Sequence, residues 1–160
     1  MAKYRLLSLD ELKELEKEFV NYLILNGIAA DDWQKLKTED VSRAEGIIDL
    51  FSDVVFESIL RKIEFLEKRD PTEVQTFHCL GEKLVVVGMK STKETGVDFT
   101  DPNFVKAAAV QPPDALQVYT TEKVYNKERE VELFEMLNSG CVISDGKLFK
   151  LLCLSLPQKN

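Results

Sequence analysis

Asp49, Asp53 and Glu57 recur at every fourth position, so a helix through them would carry one acidic stripe. Carboxylates spaced in this way can hold a divalent cation or divide acid and base duties between them. The Ile47/Phe51/Val54 arc lies on the opposite side of the same wheel, which makes the stripe a solvated face. Metal sites between helices also draw on a Glu-x-x-His element, and the stripe lacks one. His78, the single histidine, is followed by Cys79, but neighbours on a strand point to opposite faces and cannot form a nucleophile–base pair. Its expected role is that of a half-buried strand residue. Val85 to Thr92 superficially follows a phosphate-binding loop, yet Met89 separates Gly88 from Lys90 and position 83 is lysine where the motif needs glycine. Trp33, Tyr119 and Tyr125 have apolar bodies with polar tips, suited to a pocket wall, an interface or core packing.

The elements that would position these groups divide the chain into a helical half, 1–70, and a sheet-forming half, 71–160. Ser8-Leu9-Asp10-Glu11 is a capping box. Leu9, Leu12, Leu15, Phe19 and Leu23 continue it as one buried helical face that ends at Gly27. A short helix follows from Asp31-Asp32-Trp33, and a long one is expected from about Ser42 to Lys68. Asp70-Pro71 closes the helical half. Val74–Leu80 and Lys83–Met89 form a hairpin around Gly81-Glu82, and 91–96 reads as a loop. Asp101-Pro102 starts a helix that reaches about Val110, stopped by Pro112-Pro113. Leu116–Val124 is a strand. A helix from about Lys127 to Ser139 presents Val131, Phe134 and Leu137 inward and ends at Gly140. Cys141–Ser144 and Lys147–Leu154 flank Asp145-Gly146 as a second hairpin, whose last strand would be apolar on both faces and open to self-association.

This pattern predicts an α+β fold: an N-terminal helical layer of two or three helices, the third long, packed on a mainly antiparallel sheet of about five strands with two further helices. A single domain over 1–160 is expected. With 28 acidic against 21 basic side chains the formal charge is −7, which argues against nucleic acid and anionic membranes as partners. Three cysteines, none in a CxxC pair, argue against a disulfide framework and a zinc site. The opening MAKYRLLSLDELK turns charged before a signal-peptide core could form, and no apolar run spans a bilayer, so cytoplasm is the expected compartment.

LSLDELKELEKEFVNYLILNGIAADDWQKLK, IIDLFSDVVFESILRKIEFLE, FHCLGEKLVVVGM and ISDGKLFKLL together resemble a bacterial family, seen mainly in Bacteroidetes, catalogued as a domain of unknown function. That resemblance implies a soluble bacterial protein folding as one unit, and implies no mechanism. The residues themselves assign no catalytic, cofactor-binding or metal-ligating position. Their leading implication is a non-catalytic protein that works through protein–protein contact or as a homodimer. The alternative is a small-molecule binder or enzyme with a pocket between the helical layer and the sheet, drawing on Trp33, Asp53, Glu57, His78, Tyr119 and Tyr125.

Overall fold

A computed structural model describes residues 2–91, 98–110 and 116–156. The chain divides into two compact units, residues 1–61 and 62–160. The fold is α+β: N-terminal helices, then a five-stranded antiparallel sheet with further helices.

In the first unit, α1 (Leu9–Glu14) opens on the expected capping box, with the Glu11 N–H donating to Ser8 Oγ and the Ser8 N–H donating to the Glu11 carboxylate. The expected single helix to Gly27 is interrupted at Leu15, whose φ of −103° and ψ of 19° separate α1 from α2 (Glu16–Leu25). Leu9 is therefore exposed rather than part of the buried face, while Phe19 and Leu23 do turn inward. Gly27, at φ +73°, follows the end of α2. α3 (Ala30–Glu39) and α4 (Val41–Lys62) complete the helices. Leu23, Trp33 and Ala44 form the core here, with Phe19, Ile47 and Ile48 against them.

α4 stops at Lys62, six residues short of the expected end, because residues 65–70 are a strand. β1 (Phe65–Asp70) pairs on one side with β2 (Glu73–Cys79) and on the other with β5 (Val142–Ser144). Asp70-Pro71 is thus the corner of a β-hairpin, with Asp70 opposite Glu73, rather than the end of a helix. Proline suits the second position of such a turn because its φ is already set. β3 (Lys83–Ser91) and β4 (Leu116–Val124) extend the sheet to the order β4-β3-β2-β1-β5. The first expected hairpin and the Leu116–Val124 strand stand as read.

The register sorts the sheet into two faces. One carries Val74, Val87, Met89 and Leu116, which are buried together with Val105, Ala108 and Ala109 of α5 (Pro102–Val110) and with Leu148 and Leu152 of α7 (Lys147–Leu154). The expected strand over 147–154 is therefore wrong. Leu148, Leu151 and Leu152 fall three and four apart, and that spacing sets them on one helical side within this core. Gly146 caps α7 at φ +84°, so Asp145-Gly146 turns the chain into a helix instead of a hairpin. The other face carries Gln75, Phe77, Gly88 and Lys123. There lies α6 (Arg129–Asn138), with Glu132 and Leu133 as its buried residues and the expected inner-face residues Val131, Phe134 and Leu137 half-buried. Ser91, expected to open a loop over 91–96, instead ends β3, and the rest of that loop and the Pro112-Pro113 stop fall outside the described residues. Among the described residues, no helix is long and apolar enough to cross a membrane.

Candidate functional site

The acidic stripe is half-buried, and two of its carboxylates have partners in the N-terminal segment. Asp53 Oδ1 accepts the backbone N–H of Lys3 at 2.7 Å, and Glu57 accepts the Tyr4 hydroxyl and pairs with Arg61 at 3.2 Å and Lys3 at 3.7 Å. The Tyr4 hydrogen bond, ahead of the neighbouring cations, holds the Glu57 carboxyl below its ordinary range. One turn before Glu57, the buried Ser52 hydroxyl accepts the Leu7 N–H at 3.1 Å. The expectation of a solvated face is corrected: these α4 side chains clasp the N-terminal segment. Trp33 is a core residue, edge-on to Phe19 at 5.1 Å.

In the sheet unit the expected candidates do not converge. His78 is half-buried on the α7 side of β2, stacked on Phe65 at 4.6 Å and edge-on to Phe149 at 5.4 Å. Tyr119 is on the opposite face, its ring over Gly88, where an added Cβ would come within 2.6 Å of it. Its hydroxyl donates to Glu73 and accepts from Gln75 at 3.2 Å. Tyr125, just past β4, donates to the Leu80 carbonyl at 2.8 Å. Burial pushes both phenols up to about 12, with the Glu73 bond adding to the effect at Tyr119. A fold that favours the protonated phenol gains from it in full below about pH 10 and loses that gain as pH rises toward the shifted value. A titration followed by phenolate absorbance is expected to show both ionising near pH 12, with one late step missing in Tyr119→Phe. Ionisation of every tyrosine near pH 10 would contradict this.

The convergent polar groups lie elsewhere, under α6. A cavity of about 310 Å³ is walled by Lys68, Gln75, Phe77 and Lys123 from one face of the sheet and by Glu132 and Met136 from the helix. This is the lower end of the ~300–1,000 Å³ range of small-molecule sites. Glu132 is 7% exposed, and its Oε1 accepts the Asn126 N–H at 2.8 Å. Its Oε2 is buried with no hydrogen-bond donor. Burying an unpaired carboxylate oxygen costs about 1–3 kcal/mol or more.

A model of the Family of unknown function (DUF6495) matches residues 1–156 and runs through both units. The chain belongs to that family. No curated protein and no solved structure matches it.

What this family member's cavity can do follows from its lining. Among the described residues, neither Lys68 nor Lys123 is held in an ion pair, whereas Glu135 at the rim is bonded to Lys127 at 2.6 Å. Cys141 also lines the site, but it is buried, and that burial raises its thiol pKa even with Lys68 nearby. A thiol of this kind is a wall and not a nucleophile at neutral pH. None of these residues was singled out from the sequence. The available signal was the spacing Arg129, Glu132, Leu133, Met136, which matches a buried helical stripe as well as Val131, Phe134, Leu137 does and places a glutamate inside it.

Proposed function

We propose that the sheet unit is a binding module for a small polar molecule, held in the cavity between α6 and the Lys68/Gln75/Phe77/Lys123 face. This takes up the small-molecule alternative with a different set of residues. The observation that carries it is the cavity itself, where the buried Glu132 side chain lines the wall with Lys68 and Lys123, cations outside any ion pair among the described residues. Concave sites of this size with a few convergent polar groups are where small molecules bind. The argument from an apolar edge strand no longer applies, because that run is α7, with Leu148 and Leu152 in the core. Binding is favoured over catalysis because the cysteine at the site is not activated.

Glu132→Gln tests the reading. It keeps an acceptor for the Asn126 N–H and removes the buried charge. The unliganded variant is expected to gain about 1 kcal/mol in urea unfolding. Polar fragments that shift the amide resonances of Phe77, Met136 and Cys141 in the wild type are expected to lose that effect in the variant. A polar fragment library that leaves those three resonances unmoved in the wild type sinks the proposal.

A further inference from the structure

We infer that the outer edge of β4 pairs with the same edge of a second copy of this chain, joining the two sheets about a two-fold axis centred on Thr121. The inference is independent of what occupies the α6 cavity.

β4 is the last strand on its side of the sheet. It pairs with β3 in unbroken register from Leu116 to Val124, so it carries no bulge. Alternate backbone N–H and C=O groups of such a strand point away from its neighbour. Among the described residues, nothing bonds to those outward groups of β4. The opposite edge is short, since β5 has only three residues. Edges are commonly blunted by shortness, proline or a bulge, and β4 has none of these. It is exposed from Thr120 to Val124, and Val124 itself is 69% exposed.

The residues of β4 say which partner fits. A two-fold axis through an antiparallel pair sets each residue against one of the same sheet face, so the pairing must be centred on a residue. Centred on Thr121, it sets Val118 against Val124 of the second copy, Thr120 against its Glu122 and Tyr119 against its Lys123. Symmetry makes each of these contacts twice. Directly opposed side chains stand ~4.5–5.5 Å apart, which suits an apolar pair, a hydroxyl–carboxylate hydrogen bond and an ammonium beside an aromatic ring. Val118 already packs against the α5/α7 core, so Val124 would be laid over an existing apolar surface. Centring on Glu122 or Lys123 would oppose like charges, and centring on Tyr119 or Thr120 would set Glu122 against Leu116 or Val118. The formal charge of −7 works against contact between copies. β4 escapes that repulsion, because its one acid, Glu122, is bonded to Lys83 at 3.0 Å.

A strand edge is a small interface, so the dimer is expected to form in the micromolar range. Sedimentation equilibrium of the full chain up to about 300 μM reads it. Val124→Glu is expected to weaken association about tenfold or more, because it lays a carboxylate against Val118 at two places in the dimer. In the single chain the new carboxylate faces Lys83 on β3, which keeps the fold, as circular dichroism would check. With oxidised glutathione, Thr121→Cys is expected to give a disulfide-linked dimer, since residues opposed at the axis lie within disulfide reach. Gln117→Cys shares that face but lies about 26 Å from its counterpart in this register, and is expected to stay unlinked. A wild type that stays monomeric at the highest concentration overturns the inference, and an alternating Thr-Val peptide that then shifts the β4 amide resonances would make a foreign strand the occupant. Association that Val124→Glu leaves unchanged places the contact elsewhere and overturns it too. Equal cross-linking at Gln117→Cys overturns the register.

Discussion

Replacing Arg129 by alanine is expected to destabilise the protein by about 3–4 kcal/mol, a large share of the 5–15 kcal/mol that holds a typical domain folded. The guanidinium, 14% exposed, opens α6 and reaches three backbone carbonyls. It donates to Ile63 at 2.5 Å, Cys79 at 3.1 Å and Leu80 at 3.2 Å. These belong to the segment leading into β1 and to the end of β2, so one side chain ties two chain corners to the helix that roofs the cavity. Truncation leaves the Ile63 and Cys79 carbonyls without this donor, while Leu80 keeps Tyr125. Arg129→Lys should recover little, because an ammonium on a flexible stem cannot present the planar fork to three acceptors at once. Urea unfolding measures both, and a loss under about 1 kcal/mol in the alanine variant would mean that water satisfies those carbonyls.

Gly146→Ala is expected to cost a similar amount, about 3–4 kcal/mol, through two additive effects. At φ +84° an L-residue pays about 1–2 kcal/mol for left-handed backbone. The new methyl would also meet the Phe65 ring at 2.5 Å, and forced overpacking typically costs about 1–3 kcal/mol. Phe65 cannot easily retreat, because it is stacked on His78 and packed against Phe149. The corner also carries the Ser144 hydroxyl, which accepts the Gly146 N–H and donates to the buried Glu67 carboxylate. For a chain of this size the loss corresponds to a fall of roughly 10 °C in Tm, read by calorimetry. Gly27→Ala is the internal comparison: it shares the positive φ, but nothing lies within 4 Å of the added Cβ, so only the backbone cost applies. Equal losses in the two variants would show that the Phe65 contact contributes nothing.

Arg129 acts at a place the sequence does not mark, and Gly146 at a turn it marks as a hairpin instead of a helix cap, and the reason is physical. Features decided within a few residues were legible. The Ser8–Glu11 capping box, the glycine after α2, the β2–β3 hairpin and the start of α5 at Asp101-Pro102 depend on turn and cap chemistry that the local residues settle by themselves. The α+β class followed from the change in apolar periodicity near residue 70.

What the tertiary structure decided was everything that depends on a distant partner. Phe65–Asp70 becomes a strand because β2 and β5 accept its backbone from either side, and no local pattern tells those six residues to leave the helix before them. Lys147–Leu154 is short and apolar enough for strand or helix. It is a helix because α5 and the sheet offer a core to one of its sides. The cavity follows the same rule: Lys68, Gln75, Lys123 and Glu132 come from β1, β2, β4 and α6, so only strand register and helix placement bring them together. The sequence by itself determined caps, turns and composition, whose energies are local. Which polar groups would be buried side by side was left to pairings across the chain, where the entropy of closing long loops is offset only once the whole sheet has formed.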